Sequence, residues 1–464
     1  MSTTGVNVAN TGITMSNPLS GSGIDVSTVV SQIEAGERAP ETNLENQQST
    51  IQTQETDLGS INTDLSALLT SVQGLTDPLG AMAAESATSS DPSVLNATAS
   101  SSAVAGNHTI EVTQLATSGS WYSSPLSDST TATFTPGNLV MTVGGKSTTF
   151  TFDSSDDTLS AAADYINGQN LGVTANVITD ASGARLALVS NQSGQAGDIA
   201  VVSSPTGLSF SQGIQGQDAQ LTVDGVPVDS ASNTVSGTIP GVTLNLTGTT
   251  GTDGTTGTYV GSQVQLSIAP NADNITQAVN SFVSTYNQAI GDVNAQYTYN
   301  ATTQTQGPLA SDGTLTAVQS QLLQLMTYST SNNASFSSLA DLGITMNGDG
   351  TLSVNNTTLD NAAQNHAGDL QTFMQASNGF ATNLQNALTT LTAPTTGPLT
   401  VDINNLQGTY TDLQNQINDI ENQISSQHDS LVQQYSSLNA LLEDYPAQLE
   451  QIDTELGLNI SSTS

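Results

Sequence analysis

LQGTYTDLQNQINDIENQISSQHDSLVQQYSSLNALLEDYPAQLEQIDTEL, residues 406–456, returns an apolar or aromatic side chain every seven positions, at Tyr410, Ile417, Ile424, Leu431, Leu438, Tyr445 and Ile452. Leu406, Leu413 and Ile420 form a second stripe that runs to Gln427, and from Tyr435 it moves one place, to Leu442, Leu449 and Leu456, as a stutter. A seven-residue repeat draws one narrow apolar stripe along one side of a helix, and that stripe needs another helix to cover it. The same period recurs near the other end of the chain. There Leu44, Ile51, Leu58, Leu65 and Val72 are each followed three residues later by Gln47, Gln54, Ile61, Leu68 and Leu75. The middle of the chain lacks the pattern. Two terminal segments that need helix partners, around a long insert of another class, describe an assembly protein more readily than an enzyme.

Composition narrows the function further. The chain has 464 residues, enough for several domains with cores of their own. Arg38, Lys146 and Arg185 are the only basic residues beside 40 acidic ones, and the formal charge is −37. Nucleic-acid binding is excluded in practice, because affinity for phosphate comes from Lys and Arg. Insertion into a membrane is not expected, since no apolar run reaches the ~18 residues of a span. Charged residues are only 9% of the chain, against about 25% in an average domain. Acids are therefore not in excess; bases are missing. There is no cysteine, which rules out disulfides, thiolate catalysis and cysteine zinc sites. The N-terminal stretch MSTTGVNVANTGITMSNPLS has no positive region and no apolar region, so a cleaved secretory signal is not expected.

Residues 1–23 show no periodicity and read as disordered in isolation. A helix should start after Asp25 with Val26, Val29, Val30 and Ile33 on one face, and Pro40 should interrupt it before the heptad helix. From about residue 89 to 273 alternation by two takes over. NLVMTVGGKSTTFTF (138–152) is a hairpin around Gly144-Gly145, and strands are expected at GVTANV, ARLALV, LTVDGVPV, GVTLNL and VQLSI. Between them Asp157 is the expected cap of the helix in TLSAAADYIN. Gly and Thr crowd 248–257, a loop. Helices return at 274–299, after Asp312, and from Asp369, and Pro394 and Gly397-Pro398 lead into the C-terminal coil. The fold class is α+β and multidomain, with helical regions shared by both chain ends.

Catalytic, metal and cofactor sites are not expected. Gly145-Lys146-Ser147 mimics the end of a phosphate loop, but Val140 stands where the first glycine is required. NGDGT (347–351) lacks the carboxylates of a calcium loop. His108, His366 and His428 lack ligand spacing. The polar residues Gln47, Gln54 and Gln427 at seam positions read either as a loosely specified helix surface or as a seam kept weak until the right partner arrives.

Several stretches together resemble the flagellar hook-associated protein 2 family, the filament cap proteins. These are Gly23-Ile24-Asp25-Val26 with Pro40, SSDPSVLNATASSSAVAGNHTIEVTQLA (89–116), DTLSAAADYIN, LTVDGVPVDSASNTVSGTIPGVTLNL (221–246) and LADLGITMNGDGTLSV (339–354). The resemblance implies four units. Residues 1–43 with 405–464 form a terminal coil, and 44–88 with 274–404 a helical leg. Residues 89–116 with 206–273 form a β-rich head domain, and 117–205 a second one. It implies a protein secreted without a cleaved signal to the extracellular filament tip, where it holds exported flagellin and promotes its folding and polymerisation. Implied partners are further copies of the chain in a ring, five by family default, flagellin, the hook-associated junction proteins, and an export chaperone with the type III export apparatus. The contact seam is then Leu44, Ile51, Leu58, Leu65, Val72, Leu406, Tyr410, Leu413, Ile417, Ile420, Ile424, Leu431 and Leu438. A hook–filament junction protein and a surface adhesin are the alternatives.

Overall fold

The computed structural model describes residues 26–131, 133–251, 263–302, 304–331, 333 and 335–456. The readings of residues 1–25, including the cap at Asp25, and of most of the Gly/Thr-rich stretch lie outside these residues. The chain is α+β, with helices from both ends and β-rich inserts between them.

The helical part begins with α1 (Val26–Glu37) and α2 (Ala39–Thr76). Pro40 lies in the first turn of α2, where its missing N–H leaves no bond unmade. The break between the two helices therefore coincides with a helix start rather than a kink. Beyond the head come α4 (Ala272–Tyr297), α5 (Gly313–Met326), α6 (Asn356–Asn365), α7 (Ala367–Gln375) and α8 (Phe380–Leu391). The long α9 (Pro398–Leu456) closes the chain. Asn271 and Asp312 cap α4 and α5 by accepting from Asn274 N at 3.0 Å and Leu315 N at 2.8 Å. One core joins them. Leu58, Ile61, Leu65, Leu68, Val72 and Leu75 of α2 meet Val279, Phe282, Tyr286 and Val293 of α4 and Leu384 and Leu388 of α8. Each such side chain, fully buried, contributes about 1.5–3 kcal/mol. The hairpin of β16 (Ile344–Met346) and β17 (Leu352–Val354) closes this core from one side, and the Tyr286 hydroxyl donates to Gly350 O at 3.1 Å.

The first β unit has a five-stranded sheet in the order β1 (Glu85–Ser89), β15 (Val264–Pro270), β3 (Gly106–Gln114), β11 (Ala219–Val223), β12 (Val226–Ser230). A second sheet orders β13 (Thr234–Ser236), β14 (Val242–Leu246) and β2 (Leu95–Ala99). Alternate residues of both, such as Val264, Leu266 and Ile268, fill a separate core. The second unit orders β10 (Phe210–Ile214), β4 (Ser118–Ser123), β8 (Gly183–Ser193) and β7 (Val173–Asp180) in one sheet. Its other sheet orders β6 (Lys146–Phe152), β5 (Gly137–Val143) and β9 (Ile199–Ser203). With α3 (Leu159–Gln169) these enclose a third core containing Phe150, Ile166 and Leu186. The cap of α3 is Thr158, which accepts from Ala161 N at 3.3 Å, and not the expected Asp157. Thr158 lies one residue closer to the helix, so its hydroxyl reaches the orphan N–H.

Each unit is inserted into the one before it, with entry and exit strands side by side. Asn271 N donates to Ala84 O at 2.8 Å where the chain leaves and re-enters the helices. Thr117 bridges Gln217 at the next insertion point. The boundary expected at residue 206 is displaced, because Leu208 lies in the third core and β10 pairs with β4. Gly144 and Gly145 turn the β5–β6 hairpin with φ of +53° and +76°, a backbone that glycine adopts without strain. The phosphate-loop mimic is thus a hairpin turn.

Candidate functional site

The two ends of the chain meet along α9. Gln407 Nε2 donates to Glu55 Oε1 at 2.6 Å, and Gln48 Nε2 donates to Gln414 Oε1 at 3.1 Å and to Tyr410 O at 3.3 Å. Further along, Glu34 on α1 is paired with His428 at 2.5 Å. With its amide nitrogen turned toward α1, Gln427 donates to Glu37 at 2.9 Å. Residue numbers rise along α1 and α2 as they fall along α9, so the helices are antiparallel. Leu413, Ile417 and Ile424 are buried in this contact, as are Val29 and Val30. Leu44, Ile51, Leu406, Tyr410, Ile420 and Leu431 are half-buried.

The thirteen expected seam residues therefore divide. Leu58, Leu65 and Val72 belong to the leg core, while Leu413, Ile417 and Ile424 lie outside all three cores, along the α1–α2 surface. The polar seam residues divide as well. Gln47 is exposed, and its neighbour Gln48 is the buried amide. Gln54 turns away to donate to Pro308 O at 2.8 Å. Sequence reasoning missed Gln48, and only its position one residue past a predicted seam site could have hinted at it.

Past Tyr435 the described chain offers α9 no partner helix. Leu438 (42% exposed), Leu442 (39%), Tyr445 (59%), Leu449 (41%) and Ile452 (50%) form an open apolar stripe. Pro446 lies within it and removes one helical hydrogen bond. Leu438 is thus an exposed seam residue. Glu443, Asp444 and Glu450 occupy the same stretch, and no Lys or Arg lies on α9.

Both arginines are paired with carboxylates. Arg38 holds Glu41 through Nη1 at 2.8 Å, and Arg185 Nε holds Asp180 at 3.0 Å. His108 Nδ1 meets Asp224 Oδ2 at 2.8 Å. Asp224 also accepts from Thr109 N, and these bonds hold its carboxyl below the usual carboxylate range. In the leg, burial beside Asp292 pushes Asp64 up to about 6, and its Oδ2 is buried without a partner. Among the described residues no group of three or more His, Asp or Glu could hold a metal, and no helix is long and apolar enough to cross a membrane. A shallow cleft of about 450 Å³ between α5 and α8 is lined by Gln321, Gln324, Leu325, Tyr328, Phe380 and Asn383 and carries no charged side chain.

Comparison with known proteins places this arrangement. The family profile described as flagellar hook-associated protein 2 C-terminus matches residues 216–447, and that described as the N-terminus matches 22–119. A flagellin hook IN motif matches 138–192, within the second β unit. The B-type flagellar hook-associated protein 2 of Pseudomonas aeruginosa is 31% identical over 331 residues, covering 65% of this chain and 68% of that protein. Flagellar hook-associated protein 2 of Escherichia coli K12 is 27% identical, covering 70% and 72%. The crystal structure of the flagellar cap protein FliD D1-D2-D3 domains from Escherichia coli aligns with a TM-score of 0.57 at 26% identity, covering 76% of this chain and 99% of that one. These matches do not favour the junction-protein and adhesin alternatives. With both chain ends matching the same family and the insert motif lying between them, the chain belongs to the flagellar hook-associated protein 2 family.

Proposed function

We propose that this protein caps the growing flagellar filament outside the cell, retaining exported flagellin at the tip and promoting its folding and polymerisation. The observation that carries this reading is the match of both chain ends to hook-associated protein 2, together with the open stripe of α9. The stripe is an apolar helix face that a filament subunit can cover. The work is non-covalent: burial of helix faces supplies the energy, and no bond is made or broken. In this reading the terminal coil domain (1–43 with 405–464) engages the filament, the leg (44–88 with 274–404) carries it, and the two β units form the plate. Several copies assemble in a ring, five by family default. Flagellin and the hook-associated junction proteins are the partners at the tip, and an export chaperone delivers the chain to the type III apparatus.

The test is complementation of a cap-deficient strain. Cells carrying a chain without residues 405–464 should be non-motile and leak unpolymerised flagellin into the medium. Leu413→Asp with Ile420→Asp should do the same while leaving the head's β-rich spectrum and cooperative melt unchanged. Normal swimming with full-length filaments in the double variant would refute engagement through the coil.

A further inference from the structure

The two β units share no core residue, and the chain joins them only through residues 115–117 and 215–218. Thr117 and Gln217 exchange both backbone bonds, at 2.9 and 3.3 Å. Two-stranded ribbons twist more than wider sheets, and units without a large apolar interface move against each other by default. On such a ribbon alone the second unit would swing on the first. Side chains brace the joint instead. Asp198, just before β9 in the second unit, accepts from Gly216 N of the exit segment at 2.9 Å. Asp218, on the exit segment, accepts from Gln195 N of the second unit at 2.7 Å. The hold is reciprocal, since each side supplies one carboxylate and one N–H. Bonds to a charged acceptor are roughly twice as strong as neutral ones. On the entry segment, Asn233 of the first unit accepts from Ala116 N at 2.7 Å and donates to Ala116 O at 2.9 Å. Ser193 Oγ of β8 donates across the gap to Ala231 O at 2.7 Å.

Glycines let the units approach this closely. Gly119, Gly194 and Gly216 come from three separate stretches of chain, and all are buried. A Cβ on Gly119 would strike Asp198 Oδ1. One on Gly194 would lie 2.7 Å from Ala231 and from Asp218 Oδ1, and one on Gly216 would lie 2.9 Å from Asp198 Cβ. Every side chain missing from the joint would thus collide with one of the two carboxylates. Building on the reading of the chain as a filament cap, we infer that Asp198 and Asp218 are positioning residues that lock the second β unit in one orientation on the first. The plate is then stiff at this joint. It presents a constant outline to exported flagellin, and movement is left to the terminal helices.

The chain has no cysteine, so two spin labels can be placed at Ser147→Cys on β6 and Val226→Cys on β12, both exposed positions. Pulsed electron resonance on the full-length chain, diluted with unlabelled copies, then reads the distance between the units of one copy. The parent should give one narrow distribution. Asp198→Ala with Asp218→Ala should at least double its width, with the cooperative melt unchanged. Should that pair fail to fold, Asp218→Ala alone carries the comparison. Asp198→Asn with Asp218→Asn keeps an accepting oxygen at each site and should restore the narrow width. Gly216→Ala, which pushes Asp198 off the exit segment, should broaden it. Asp153→Ala removes a carboxylate that accepts from Ser155 N in a surface turn, and should leave the width alone. A narrow distribution in the alanine variant, a broad one in the parent, or equal broadening by the asparagine pair or by Asp153→Ala would overturn the lock. In the cap-deficient strain the alanine variant should cut swimming by at least half, and the asparagine pair should restore it. Normal swimming with a broad distribution would overturn the need for a locked joint while the cap reading stands. A parent chain that fails to complement would overturn the cap reading, and with it the purpose of the lock but not its geometry.

Discussion

His428 on α9 lies with Nδ1 2.5 Å from Glu34 Oε1 on α1, across 394 residues of sequence. It is one of the few fixed points where the N-terminal helix is held to the C-terminal one, beside the buried Val29 and Val30. His428→Ala should free α1 without touching the leg core. A hydrogen bond of this kind is worth about 1 kcal/mol, so amide exchange within Val26–Glu37 should accelerate about fivefold. The global melting temperature should not move. Unchanged protection of α1 in a hydrogen-exchange experiment would show that Val29 and Val30 suffice.

Acid should strengthen the leg. Burial, and after it the neighbouring Asp292 carboxylate, push Asp64 up to about 6 in the folded chain, against 3.8 for a free aspartate. Burial also raises Glu85 at the junction of leg and head. A raised folded value means that the folded state holds the proton more tightly. This contribution is fully present below pH 3.8 and is lost as pH rises through about 6. Asp153, Asp180, Asp224, Asp341 and Asp349 are shifted the other way by hydrogen bonds, so their contribution is lost in strong acid. Stability to urea should therefore be greater at pH 5 than at pH 8. Asp64→Asn should remove most of that difference, by about 1–2 kcal/mol after discounting for solvent at a partly exposed pair.

The leg core should be sensitive to cavities. Leu65 is completely buried between α2 and its neighbours. Leu65→Ala should cost about 2–5 kcal/mol. The loss should appear in helical ellipticity at lower denaturant, while the β cores, which share no residue with this cluster, unfold as before.

Asn167 should prove to be an edge guard. Its side chain on α3 accepts from Ala175 N and donates to Ala175 O, both at 2.8 Å, so it occupies the free edge of β7 as another strand would. An open edge of eight residues without Lys or Pro is a template for pairing between molecules. Asn167→Leu should lower the stability of the second β unit by about 1–3 kcal/mol through the unpaired backbone groups. It should also raise light scattering on mild heating. A variant as soluble and stable as the parent would show that the edge needs no cover.

The sequence alone settled the kind and order of the elements that carry a clear repeat, while α6 and α8 went unread. The seven-residue stripes, the alternating strands and the Gly144-Gly145 turn are local patterns, and each needs only nearby residues to be read. The depletion of Lys and Arg is likewise read from composition alone, and it leaves a phosphate backbone almost no cations to bind. Partner choice was decided by the tertiary structure. A stripe shows which face of a helix must be buried but not against what. Leu44 and Leu65 belong to one repeat, yet Leu65 packs into the leg with α4 and α8 while Leu44 lies in the stretch that runs along α9. Where α2 passes between those surroundings, the buried amide falls on Gln48 and not on Gln47.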